Sequence, residues 1–181
     1  MAWKNSADGF GLISRVIHWA RAAGILGMLA LGTVLQNMQP GLANLWLYGL
    51  HKTIGISLLA LVLLRLIWHR ISPTPAPVGG VPLWQEQAAL WAHRTLYVLM
   101  LGVPLSGWVA SSATGIDVMY ADRWVMPVLA PVSEQWEKVG FAVHGVLTKL
   151  LMAVVLLHVA AALKRGLAGD GTIRRMIRGA G

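Results

Sequence analysis

The sequence predicts an all-α integral membrane protein, a four-helix bundle with both termini on the cytoplasmic side. Three observations carry that prediction. Of 181 residues, 56% are hydrophobic and 12% charged, with a mean hydropathy of +0.62, and a soluble domain carries about twice that charged fraction. Four apolar stretches each reach the roughly 20 residues that cross the hydrocarbon core as a helix. The charge excess, finally, falls on one side of those stretches. A net charge of +8 would point to nucleic acid in a soluble chain; here it reads as a topology signal, and no nucleic-acid partner is expected.

The first span runs approximately over 14–35. It is longer than the apolar core of a cleaved signal peptide and carries Arg15, His18 and Arg21 near its start, so it is expected to be retained. The uncharged segment from Gln36 to Trp46 reads as a short external loop before the second span, approximately 47–68. Between Ile71 and Pro82 four prolines forbid a continuous helix and favour a stiff, extended connection to the third span, approximately 88–111. The longest connection, from Ala113 to Gly140, holds six charged residues and is expected to fold in part over the membrane surface. The fourth span covers approximately 141–163, and the whole chain, 1–181, reads as one transmembrane domain.

Orientation follows from sorting the charges. With both termini and the proline-rich loop inside, that side collects eleven Lys and Arg against Asp8, Glu86 and Asp170. The other side has Lys52, Arg123, Lys138 and Lys149 against four acids, and so no net charge. The positive-inside rule then gives an N-in, C-in topology. Trp19, Trp68 and Trp91 fall near inner span ends and Trp46, Trp108 and Trp136 near outer ones, where amphipathic rings anchor.

Ionisable groups inside spans are costly, and their default reading is functional. The chain has no cysteine, so thiolate metal sites, iron–sulfur clusters and covalent haem attachment are excluded, and six histidines remain as soft-metal ligands. His51 and His144 share an outer depth; His18 and His158 share an inner one. His144 and His158 are 14 residues apart, about 3.9 turns and about 21 Å, so they project from nearly one stripe of the fourth span at two levels. Each level then offers two axial nitrogens to a non-covalently held haem iron, from His51 with His144 outside and His18 with His158 inside. Arg65 lies 14 residues after His51 and faces the inner level, where a haem propionate would answer its charge. Gly24, Gly27, Gly55 and Gly145 would let macrocycles or helices approach closely. His69 and His93 read as groups at the inner surface, Lys149 as a snorkelling lysine and Arg174, Arg175 and Arg178 as a lipid anchor. The two matched layers weigh against the blander reading of isolated cross-helix hydrogen bonds.

In this order along the chain, Gly11-Leu-Ile-Ser-Arg-Val-Ile-His18-Trp19, Leu50-His51-Lys52-Thr-Ile-Gly-Ile-Ser-Leu-Leu, Arg65-Leu-Ile-Trp, Ser72-Pro-Thr-Pro, His93-Arg-Thr-Leu-Tyr97, Pro104-Leu-Ser-Gly107-Trp, His144, His158 and the tail Asp170-Gly-Thr-Ile-Arg-Arg-Met176 resemble the prokaryotic cytochrome b561 family. That family is a four-helix di-haem type related to the cytochrome b subunits of nickel hydrogenases and formate dehydrogenases. The resemblance carries its four haem-ligand histidines onto His18, His51, His144 and His158, the four already chosen by spacing. It implies two b haems stacked inside the bundle and one-electron transfer across or within the bacterial inner membrane, between the quinone pool and a periplasmic redox partner, with ubiquinone as the acceptor in one branch. One branch is similar to superoxide oxidases, although outer loops of zero net charge offer no funnel for an anion. Arg15, His69 and Arg94 make one candidate wall for a quinone. Two rivals stand beside this reading: a haem-bearing anchor subunit of a larger dehydrogenase or hydrogenase, and a small transporter or scaffold in which histidines relay protons or bind zinc. Self-association is left open.

Overall fold

A computed structural model describes residues 2–179. Four long helices dominate: α1 (Leu12–Asn37), α2 (Leu45–Ile71), α3 (Leu83–Ala113) and α4 (Glu134–Leu167), each apolar enough to cross a membrane. A small antiparallel hairpin, β1 (Met119–Tyr120) with β2 (Trp124–Val125), precedes α4, and a short helix α5 (Thr172–Ile177) follows it. The four helices extend beyond the expected spans at both ends. The largest gain is at α4, which begins at Glu134 because Ser133 caps it: the Ser133 hydroxyl accepts from the Trp136 N–H at 3.4 Å, with Glu134 and Glu137 in the first turn and Lys164 and Arg165 in the last. At 34 residues α4 is about 51 Å long, well beyond a hydrocarbon core of about 30 Å.

Helices α3 and α4 pack along most of their length, α1 packs on α2, and α2 touches α3 more sparingly. The lines of closest approach run through glycine. A Cβ at Gly140 on α4 would stand 2.8 Å from the Ala110 Cβ on α3, and one at Gly24 on α1 would stand 2.6 Å from Leu58 on α2. Val62, Leu96, Leu99, Met100 and Leu151 form the apolar centre, joined by Ile25 of α1 and Leu147 of α4. Leu151 lies seven residues after His144 and seven before His158, so this core fills the depth midway between the two histidines of α4.

Both termini and the proline-rich loop meet at one end of the bundle, the terminal end. There Asn5 donates its N–H to the Ser72 hydroxyl at 2.8 Å and its amide to the Ser72 carbonyl at 3.0 Å. The Arg15 guanidinium donates to the Ile177 carbonyl, the Trp19 indole to that of Met176, and Arg175 to those of Asp8 and Ala76. Arg165 pairs with Asp170 and also donates to the Val78 carbonyl, holding the turn between α4 and α5 against the loop. At the opposite, hairpin end, the β1–β2 turn presses on α2. Ala121 and Asp122 sit at φ +52° and +51°, which aims the Ala121 N–H at the Thr53 hydroxyl (3.0 Å) and leaves the Tyr120 hydroxyl 3.2 Å from that of Ser57. The expected surface fold between spans three and four is therefore this hairpin, bound to a helix by three side chains.

Candidate functional site

The predicted site residues come from three helices: His18 from α1, His51 and Arg65 from α2, and His144 and His158 from α4. Few backbone contacts link α4 to α1 or α2, so these residues face one another across a space bridged by side chains. The structure brings both expected pairs together. At the hairpin end the His51 and His144 rings stand 6.3 Å apart between centroids, inclined at 79°. At the terminal end the His18 and His158 rings stand 6.5 Å apart, inclined at 59°.

Local sequence explains how His144 is held. Pro104 removes the N–H that would close the helix onto Met100 and crowds that turn of α3. The neighbouring Val103 carbonyl lies 2.9 Å from His144 Nδ1, and the Ser106 hydroxyl lies 3.2 Å from the same nitrogen. A carbonyl can only accept, so Nδ1 carries the proton and Nε2 keeps its lone pair. Gly107 supplies the room: a Cβ there would meet the His144 ring at 3.0 Å. Neither Pro104, Ser106 nor Gly107 had been given a role at the histidines from spacing, although the four-residue spacing of Val103 and Gly107 places both on one face of α3. His51 Nδ1 is buried with no hydrogen-bond partner among the described residues.

Arg65 is 5% exposed and faces the bundle at the terminal end, as its spacing predicted. It donates to the Ser14 carbonyl at 2.5 Å and to the Tyr97 hydroxyl at 3.2 Å, and it acts electrostatically on His18. Among the described residues it has no carboxylate partner. The two histidines read as inner-surface groups both lie towards the terminal end. His93 is exposed, and its ring also approaches that of His158 to 5.2 Å, since α3 begins two to three turns before it. His69 turns towards Tyr97, ring to ring at 6.3 Å, and its Nε2 is buried with no hydrogen-bond partner among the described residues. Of the three residues of the candidate quinone wall, Arg15 donates to the Ile177 carbonyl, His69 faces Tyr97, and Arg94 lies over the Trp91 ring at 5.1 Å. Of the small residues named, Gly24 and Gly55 face α2 and α1 respectively, while Gly27 and Gly145 border open space. No group of three or more metal-ligating side chains occurs among the described residues, so histidine pairs are the available donor sets.

The sequence profile of the family described as prokaryotic cytochrome b561 matches residues 9–179. Cytochrome b561 homolog 2 of Escherichia coli (strain K12) is 30% identical to this chain over 182 residues, covering 98% of it and 95% of the relative. Four membrane-spanning helices, a profile that runs through all of them and a relative matched nearly end to end together show that the chain belongs to the prokaryotic cytochrome b561 family, membrane proteins that bind b-type haem and transfer electrons.

Proposed function

We propose that residues 1–181 form a di-haem electron relay, with one b haem held by His51 and His144 and the other by His18 and His158. The observation that carries this reading is the ring spacing. With metal–nitrogen bonds of about 2 Å on each side, a bis-histidine iron sets its two imidazole centroids roughly 6 Å apart; the two pairs stand at 6.3 and 6.5 Å. The donor chemistry agrees. His144 has its proton committed to Val103, which leaves the Nε2 lone pair available, and His51 has a buried nitrogen with no hydrogen-bond partner among the described residues. Arg65 is suited to a haem propionate, being buried and without a carboxylate partner among the described residues.

When bound, the haems would supply one-electron chemistry, with His51 and His144 holding one and His18 and His158 the other. The protein's part is positional. Val103 and Ser106 orient the His144 ring, and Gly107 leaves it room. Val62, Leu99, Met100 and Leu151 keep water from the depth between the levels. The charge asymmetry supports a cytoplasmic terminal end and a periplasmic hairpin end. On that reading electrons pass between the quinone pool and a periplasmic redox partner.

Purified protein should show the reduced-minus-oxidised spectrum of haem b with two haems per chain. His158→Ala should keep one haem, His144→Ala the other, and the two single variants should have distinguishable spectra or potentials. One haem per chain, or a colourless protein that binds zinc, would overturn the proposal. Anaerobic stopped-flow mixing with ubiquinol or with superoxide then identifies the donor by which one reduces the haems.

A further inference from the structure

Arg21 entered the sequence reading only as a topology charge. In the structure it is 6% exposed, as deeply buried as Arg65, and it belongs to the same cluster. Its guanidinium carbon lies 5.6 Å from the centre of the Tyr97 ring, whose hydroxyl accepts from Arg65, and its Nε and one terminal nitrogen have no hydrogen-bond partner among the described residues. The two guanidiniums repel each other and both act on His18. Among the described residues neither has a carboxylate partner; the ion pairs are Lys138 with Glu134 and Arg165 with Asp170. The other level differs. At the hairpin end the His51 and His144 rings face each other, Val103 and Ser106 hold His144, and the cation next to His51 along α2, Lys52, is only half-buried. Among the described residues, two buried guanidiniums therefore stand beside one histidine pair, and no buried arginine or lysine stands beside the other.

We propose that Arg21, acting with Arg65, is a positioning residue for the electron, making the His18–His158 site the more easily reduced of the two. A reduced site carries one more negative charge than an oxidised one, and in a low-dielectric interior two nearby cations stabilise that charge strongly. The transfer balances simply: one electron leaves the hairpin-end site and one arrives at the terminal-end site, with no bond made or broken and no proton required. Haem carboxylates do not cancel the asymmetry. They would add equally at both levels, so the difference made by the two guanidiniums would remain.

The inference rests on the two-haem reading, and potentiometry separates the two. Anaerobic redox titration of the purified holoprotein should resolve two one-electron components. Arg21→Gln should weaken reduction of the higher component at least tenfold, a fall of about 59 mV for one electron, and leave the lower component unmoved. Arg21→Lys should restore the higher value. Haem content and the low-spin electron paramagnetic resonance signals should stay unchanged in both variants, which separates electrostatics from loss of structure. If Arg21→Gln loses a haem, His51→Ala decides the matter, because its remaining haem must titrate at the higher of the two wild-type values. A remaining haem at the lower value, or an Arg21→Gln protein whose higher component does not move, overturns this inference. One haem per chain overturns the reading beneath it.

Discussion

Substituting Gly140 by alanine tests whether the contact between α3 and α4 holds the site in register. The added Cβ would lie 2.8 Å from the Ala110 Cβ, 3.0 Å from its Cα and 3.3 Å from its nitrogen, where ordinary contact begins at 3.4 Å. The shortfall is about 0.6 Å at the closest atom, and two of the three obstructing atoms are backbone, which no rotamer change can move. Ala110 is itself fully buried, so α3 cannot yield by exposing it. The helices must part, and overpacking of this kind costs about 1–3 kcal/mol. Gly140 is one turn from His144 on the same face of α4, so the parting should also draw that ring away from His51. The expected result is a lower thermal midpoint of the detergent-solubilised protein, and haem loss confined to the hairpin-end site. Unchanged midpoint and haem content would refute the argument, as would loss of the His18–His158 haem with the other retained.

Gly107→Ala should act on the same site from the other side: the new methyl would meet the His144 ring at 3.0 Å, and the expected outcome is weakened or spectrally altered binding of one haem with little change in global stability. Tyr120→Phe removes the hydroxyl facing Ser57 and should cost about 0.5–1.5 kcal/mol, read as faster hydrogen exchange in the hairpin and the adjoining turn of α2. A third expectation concerns pH. Partial burial pushes the Asp170 carboxyl up, but hydrogen bonds from Thr172 and Arg165 outweigh it and hold the group below its ordinary value of 3.8. A carboxyl depressed in the folded state stabilises it fully above its unfolded value, and that stabilisation fades as pH falls through the folded one. The junction of α4 and α5 should therefore resist proteolysis near neutrality and lose that resistance only below about pH 4, whereas Asp170→Asn should be sensitive already at pH 7.

The parts of this protein legible in its sequence are those governed by depth and periodicity. Hydropathy located all four helices, and the 14-residue spacings His51–Arg65 and His144–His158 put those residues on inward faces because 14 residues return nearly to the same side of a helix. Helix ends were less legible, since they depend on single interactions: α4 starts early on the Ser133 cap, which no hydropathy window detects. The approach of His93 to His158 was hidden for the same reason, since its place along the helix depends on where α3 begins rather than on where the apolar run does. Arg21 was missed despite a usable signal, because it stands three residues after His18 and so shares its face. Gly107 and Gly140 could not be ranked above the other glycines without knowing which helices touch.

The apolar layer around Leu151 bears on energetics across the whole membrane. The two histidine levels are about 21 Å apart, some two-thirds of a hydrocarbon core of about 30 Å, and Val62, Leu96, Leu99, Met100 and Leu151 fill the depth between them. An electron moving between the levels therefore moves net charge through the membrane field. At about 2.3 kcal/mol per charge per 100 mV, that step is worth about 1.6 kcal/mol at 100 mV. Inward transfer opposes an inside-negative potential, so a relay built on these two levels slows as the membrane becomes energised and quickens as it is discharged.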